Sequence, residues 1–241
     1  MRCLIKDMRK FLIALLLLSF SYSTAQERVT TAGFQFKPIF KSDFFTSKAK
    51  TVVKDELSYT VQHGTGNSFG MVVRRGLSER FSFETGINLT KRNFEFSLSD
   101  SIGKHDGTFA FMAYEIPAQL LVFIQLSEAV YMDVSFGGSI SFYPSDIIFN
   151  GDNFQNFGLR RNWNSLNLIA NLGFEYRTQK NGYFYIGSSY HRPTKFILGN
   201  LVEYKMNQTI SSLQTELLGN YLTLDFRYFF PGTLDSKKTK K

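Results

Sequence analysis

The sequence predicts an all-β protein: an antiparallel, up-and-down transmembrane β-barrel of about eight strands. Three observations predict it. Apolar and polar residues alternate with a period of two in segment after segment, the mark of strands whose successive side chains point to opposite faces. In the clearest segments the apolar face carries aromatics and the opposite face carries charge, as in a barrel that is greasy outside and polar inside. The connections alternate between tight turns and long loops, the asymmetry of a barrel with two unlike ends. A soluble β-sandwich has no reason to alternate its loop lengths in this way.

The chain opens on the basic segment MRCLIKDMRK and the apolar run FLIALLLLSF, with Ser23 and Ala25 just before Gln26. Basic, apolar and small-residue parts in that order predict a secretory signal peptide over 1–25. The apolar run is about ten residues, short of the ~20 that a spanning helix needs. Cys3, the single cysteine, lies within this segment, so no disulfide or cysteine metal site is expected in the mature chain. The formal net charge is +8. Without residues 1–25 it falls to about +5, and the tail lysines Lys237, Lys238, Lys240 and Lys241 carry most of that. The body is nearly balanced, so the high pI gives no ground for a nucleic-acid partner. The expected organisation is a signal peptide (1–25), a barrel (26–230) and a basic periplasmic tail (231–241).

Taken in order, the first strand is 31–40, with Phe34, Phe36 and Phe40 opposite Gln35 and Lys37. Residues 42–65 read as polar and irregular. A second strand covers 67–75, with Phe69, Met71 and Val73 opposite Ser68, Gly70 and Arg74. GLSE (76–79) makes a turn into a third strand, from 80 to about 96, where Phe81, Phe83, Ile87 and Leu89 oppose Ser82, Glu84, Asn88 and Arg92. Residues 98–107 read as a polar loop. The fourth strand (108–125) sets Tyr114, Ile116, Ala118, Leu120, Val122 and Ile124 against Glu115, Pro117 and Gln119, and Leu121 and Phe123 break the rule on its inner face. Pro117 removes a backbone donor there and predicts a bulge. After the turn at 126–128, the fifth strand (129–142) places Val130, Met132, Val134, Phe136 and Ile140 opposite Asp133, Ser135, Ser139 and Ser141. Residues 144–162 read as loop. The sixth strand (164–177) alternates most cleanly, with Asn167, Asn171, Glu175 and Arg177 on its polar face. Asn181-Gly182 signals a hairpin into the seventh strand, 183–191. Residues 195–217 are loop, or strand reaching past the membrane. The last strand, NYLTLDFRYFF (220–230), aligns Leu222, Leu224, Phe226, Tyr228 and Phe230 against Thr223, Asp225 and Arg227. Phe226, Tyr228 and Phe230 are the expected aromatic girdle.

The segment ending in Ala25-Gln26, the stretch YEIPAQLLVF (114–123) and the aromatic closing strand resemble the bacterial outer-membrane β-barrel domain family. Its small PorT-like members share the eight-strand plan of OmpA and OmpX. The resemblance implies residence in a Gram-negative outer membrane and hints at protein secretion. It departs from many such barrels in one respect, since PGTLDSKKTKK follows the terminal aromatic.

Candidate functional residues fall into two groups. Lys37, Arg74, Glu84, Arg92, Glu115, Asp133, Glu175, Arg177, Asp225 and Arg227 all lie on polar faces and balance in sign. The interior of an eight-strand barrel is just wide enough to be filled by side chains, so these charges are expected to pair into a lumen network that plugs it. Ser189 and His191 share a face of the seventh strand. That pair suggests a membrane-embedded lipid hydrolase, but no carboxylate is clearly placed to orient the imidazole and the strand's register is open. A two-residue Asn-Gly turn would aim both at lipid, and the apolar face of Phe184 and Ile186 argues for the lumen. His63 and His105 match no metal-ligand spacing, and no cofactor is implied. The leading expectation is a non-enzymatic outer-membrane protein that contacts lipid through its wall. It would bind an envelope partner through its loops, where Phe44 and Phe45 sit among Lys48, Lys50 and Lys54, or support a secretion assembly. A lipid hydrolase and a soluble ligand-binding barrel are the alternatives.

Overall fold

The structure, a computed structural model, describes residues 29–42, 44–45, 48–54, 56–78, 80–100, 103–150, 154–160, 162–178, 180–206 and 209–231. The expected signal peptide and residues 232–241 of the basic tail lie outside the described residues. The strands are β1 (Thr30–Phe40), β2 (Lys50–Lys54), β3 (Leu57–Gly76), β4 (Phe81–Ser99), β5 (Lys104–Gln125), β6 (Val130–Phe142), β7 (Ile147–Asn150), β8 (Phe154–Arg160), β9 (Asn164–Arg177), β10 (Tyr183–Pro193), β11 (Leu198–Met206), β12 (Thr209–Leu217) and β13 (Tyr221–Phe229).

Eight of these make one antiparallel ring, in the order β1–β3–β4–β5–β6–β9–β10–β13. The ring closes at β1. That strand pairs with β3 from Thr30↔Arg75 to Ile39↔Gly66, and with β13 from Gly33↔Phe229 to Phe40↔Leu222. Between β4 and β5 the ladder lapses after Thr85↔Ala118 and resumes at Asn88↔Glu115. Pro117 sits in the gap, and Thr85 Oγ1 donates to its carbonyl at 2.7 Å.

The chain ends of the barrel and three tight turns share one end. Each turn is closed locally by a hydroxyl. Ser78 accepts from the Phe81 amide, Ser127 from that of Val130 and Thr178 from that of Asn181. Such side-chain turns are a common use of Ser and Thr. The third turn is not a two-residue hairpin. Thr178 N donates to Gly182 O, Gly182 takes φ 79°, and pairing resumes at Tyr183↔Arg177. That loop length decides which face of β10 is inside.

The outer wall is apolar. Phe136 is 64% exposed and Leu166 60%, and Phe34, Phe36, Phe69, Met71, Ile87, Leu120, Leu172, Phe174, Ile186 and Phe226 point the same way. Apolar side chains outside a closed, backbone-satisfied ring are the signature of a barrel that spans a membrane.

At the loop end the strands run on beyond this belt, and the chemistry of their faces inverts. The inner face of β4 carries Glu84, Asn88, Thr90 and Arg92, then Phe94, Phe96 and Leu98, without changing side. Its outer face goes from Phe81, Phe83, Ile87 and Leu89 to Lys91, Asn93, Glu95 and Ser97. Along β5 the inner residues change from Glu115 to Ala113, Phe111 and Phe109. On β3, across a bulge between His63 and Gly66, they change from Ser68 to Val61, Tyr59 and Leu57. Below the switch the strands face lipid outside, and above it they face water.

A second sheet, in the order β12–β11–β8–β7, covers the apolar inner face of these extensions. It supplies Leu198, Val202, Tyr204, Leu213 and Leu217 to a core shared with Leu57, Tyr59, Phe94, Phe96, Phe109, Phe111 and Tyr143. The segment read as irregular, 42–65, therefore holds β2 and the outer half of β3. The supposed polar loop at 98–107 is mostly the tip of the β4–β5 hairpin, paired up to Ser99↔Lys104. The loop expected at 144–162 contains β7 and β8, and of the two readings of 195–217 the structure has strand, the β11–β12 hairpin. The reason is physical: these stretches alternate with water outside, the reverse of the polarity that identifies a membrane strand.

Phe94, fully buried between His63 and Phe109, tests the independence of this cap from the barrel. Phe94→Ala should cost about 3–5 kcal/mol of cap stability. Proteases added to intact cells should then cut the loop-end strands, while the barrel keeps its folded mobility on unheated gels.

Candidate functional site

The lumen is built by strand parity. All ten charged residues on the polar faces point inward: seven form a turn-end chain, Glu115 centres a loop-end cluster, and Arg92 and Asp133 stand apart.

The turn-end chain alternates in sign across the barrel. Lys37 Nζ lies 3.4 Å from Asp225 Oδ2, which Arg227 Nη2 reaches at 2.8 Å. Arg227 Nη1 donates to Glu84 Oε1 at 2.6 Å, and Arg74 takes the other oxygen of Glu84 through Nε and Nη2 at 3.1 and 3.0 Å. Arg74 Nη1 continues to Glu175, whose second oxygen accepts from Arg177 Nε at 2.6 Å. Seven side chains from β1, β13, β4, β3 and β9 are thereby tied wall to wall. Aromatic rings cover the exposed faces of the guanidinium groups: Arg74 over Phe229 (4.0 Å) and Phe123 (5.2 Å), Arg177 over Tyr131 (4.0 Å), and Arg227 over Tyr185 (4.5 Å). Phe123 thus belongs inside because it seals cations at the turn end.

The loop-end cluster centres on Glu115. It accepts from Tyr221 Oη at 3.0 Å and from Ser139 Oγ, and His191 Nδ1 lies 3.3 Å away. The His191 ring stacks on Tyr221 at 4.4 Å and 8°. Asn167 Nδ2 braces the cluster by donating to Ser139 and Ser141 at 2.9 and 2.7 Å.

Two of the ten stand apart from these networks. Arg92 makes no ion pair among the described residues. Its Nη1 donates to the Gly219 carbonyl at 3.0 Å, and its guanidinium lies over Tyr221 and Phe111, at the level where the inner face turns apolar. Asp133 is fully buried on the inner face, yet neither of its oxygens has a hydrogen-bond partner among the described residues.

Ser189 and His191 both face the lumen, at 0% and 2% exposure. Each has a different partner. Ser189 Oγ donates to Asp225 Oδ2 at 2.5 Å and accepts from Asn171 Nδ2 at 2.8 Å, while the imidazole is engaged with Glu115. A serine nucleophile needs its base within hydrogen-bond reach. Here the hydroxyl is bonded directly to the acid.

Charge counting missed the neutral members of the lumen. Gln35 donates to Asn88 at 2.6 Å, Ser68 and Thr90 meet at 2.8 Å, and Ser135 donates to Gln119 at 2.9 Å. Tyr185 donates to Asn171 at 2.9 Å. Their signal was present as polar residues at inward parity. On the outer wall Phe226, Tyr228 and Phe230 face away from the lumen, and Phe230 packs edge-on against Phe34 (5.6 Å) and Tyr228 (5.4 Å).

No family model matches the chain, and no curated protein matches it. Solved structures do. The outer membrane protein OprG from Pseudomonas aeruginosa superposes with a TM-score of 0.50 at 13% identity, covering 84% of this chain and 95% of that one. The outer membrane protein AlkL gives 0.46 at 12% identity over 87% and 93%. Ail, the attachment invasion locus protein of Yersinia pestis, gives 0.35 at 15% identity over 85% and 100%. The likeness to OprG is one of fold, that of an outer-membrane β-barrel.

Removing one cation from the alternating chain should be costly, because its carboxylate partners stay buried. Arg227→Met should lower barrel stability by about 3–5 kcal/mol in urea titrations of the refolded protein. Adding Glu84→Gln should cost less than the sum of the two single changes, with a coupling of about 1 kcal/mol or more.

Proposed function

We propose that the chain is a non-enzymatic outer-membrane protein of a Gram-negative bacterium that presents its folded cap, outside the cell, to an envelope or external partner. The observation that carries this reading is the inversion of face chemistry. Strands that continue past the lipid belt and close a second apolar core make a rigid platform, and rigid scaffolds that display surface segments are where binding function concentrates. A lumen bridged from wall to wall by paired side chains supports display over conduction. The belt supports outer-membrane lipid as the constant neighbour and leaves a soluble ligand-binding barrel without support.

The cap also exposes apolar side chains on its water-facing side. Ile148 and Leu159 are 62% and 46% exposed, and Ile148, Phe157 and Leu201 stand in one cross-strand row of the small sheet. Contiguous apolar surface in water is a feature of interaction sites. The PorT-like resemblance supports an assembly concerned with secretion. The bonding of Ser189 to Asp225 supports a structural role for that serine.

Native size after light cross-linking on intact cells and extraction in mild detergent tests the partner. The wild-type protein should run in a larger, reproducible species that is lost when Ile148, Leu159 and Leu201 are replaced by Ser. A monomer in both cases would overturn the reading. Ser189→Ala should leave the acylation of outer-leaflet lipids unchanged, and an altered acylation pattern would instead assign a hydrolase.

A further inference from the structure

The segment after β1 carries two phenylalanines among lysines, and the lumen and cap use neither. Phe44 is 84% exposed, the highest value among the exposed large apolar side chains of the described residues. Its position is defined by its neighbours. The Phe44 and Phe45 rings meet edge-on at 4.9 Å, and Phe45 lies 5.8 Å from Tyr190. Tyr190 belongs to the outward face of β10, in a cross-strand row with Leu222 and Phe40 at the upper edge of the lipid belt. Phe45 therefore packs against the outward face of the barrel, not against the lumen. Tyr190 Oη accepts from Asn220 Nδ2 at 3.1 Å, so the polar tip of this ring is satisfied at the same height.

Two cations follow Tyr190 closely in the chain. Arg192 follows Tyr190 on the same outward face and is exposed, as is Lys195 just beyond it. Neither makes an ion pair among the described residues. Lys41, next to Phe40, lies 3.3 Å from Glu95 and so is already compensated.

We infer that Phe44 and Phe45 form a membrane anchor that lies in the headgroup layer of the outer leaflet, where Arg192 and Lys195 engage the phosphates of its lipids. Aromatic side chains favour the membrane interface. Guanidinium and ammonium groups match lipid phosphate in charge, and guanidinium matches it in hydrogen-bond geometry too. Through Tyr190 the pair adjoins the Leu222 and Phe40 row of the lipid belt, which favours lipid over a water-borne partner. The inference rests on the transmembrane placement of the barrel and tilts the molecule toward lipid on its β1–β13–β10 side.

Fluorescence of a single tryptophan tests it. The native chain has one, Trp163. Phe44→Trp in a Trp163→Phe background would be reconstituted in phosphatidylcholine vesicles brominated near the headgroup or deep in the acyl chains, with and without phosphatidylglycerol. The expected result is blue-shifted emission, quenched more by shallow bromines than by deep ones and more strongly with phosphatidylglycerol. Arg192→Gln with Lys195→Gln should abolish the gain from phosphatidylglycerol and leave the quenching in phosphatidylcholine. Phe136→Trp, on the barrel wall, serves as the insertion control. A water-like, unquenched signal from Phe44→Trp beside a quenched signal from Phe136→Trp would overturn the anchor alone. Loss of quenching at both positions would overturn the transmembrane placement and the anchor with it. Persistence of the phosphatidylglycerol gain without Arg192 and Lys195 would overturn their assignment to phosphate.

Discussion

Closure of the hydrogen-bonded ring at β1 is the constraint on which the rest of the structure depends. A strand in lipid must satisfy its backbone donors and acceptors on both edges, because hydrocarbon offers no partner. β1 does so by pairing with β3 on one side and β13 on the other. Once the ring is closed, each barrel strand has one face toward lipid and one toward a lumen too narrow for bulk water. The inward side chains must then satisfy one another. The alternating run from Lys37 through Asp225, Arg227, Glu84, Arg74 and Glu175 to Arg177 does this with charge, and Gln35–Asn88, Ser68–Thr90 and Ser135–Gln119 do it with neutral groups.

The same strands then serve a second solvent. Past Arg92 the inner face becomes Phe94, Phe96 and Leu98 and the outer face becomes polar, although β4 keeps its parity throughout and the bulge at this level lies in β3, between His63 and Gly66. Alternation is kept while its sense is reversed, because the surroundings of the outer face have changed from hydrocarbon to water. Arg92 sits at this boundary, with aromatic rings on its faces and the Gly219 carbonyl as acceptor. It joins the polar lumen below to the apolar core above. One set of strands therefore builds both the barrel wall and half of the second apolar core.

The number of barrel strands, the position of the tight turns and the facing of the barrel residues outside β10 are legible in the chain, since each follows from a local period of two and from turn residues such as Ser78, Ser127 and Gly182. The cap is not, although Tyr59, Val61, Phe94 and Phe96 alternate as regularly as any membrane strand. A rule that assigns apolar residues to the outside places them wrongly, and only the covering sheet of β7, β8, β11 and β12 accounts for their burial. The facing of Ser189 and His191 turned on the length of a single loop. Five residues between Arg177 and Tyr183, not two, set both side chains in the lumen.

The sequence by itself determined a closed, alternating barrel with charge on the inward parity, because side-chain direction along a strand is a local property. Only the tertiary structure decided which charge meets which, that Arg92 and Asp133 stand outside the ion-paired chain, that Ser189 bonds to Asp225 instead of His191, and that the loop end folds into a second core. Those outcomes depend on register, strand tilt and contacts between residues more than a hundred positions apart, such as Arg227 with Glu84. No local pattern carries that information.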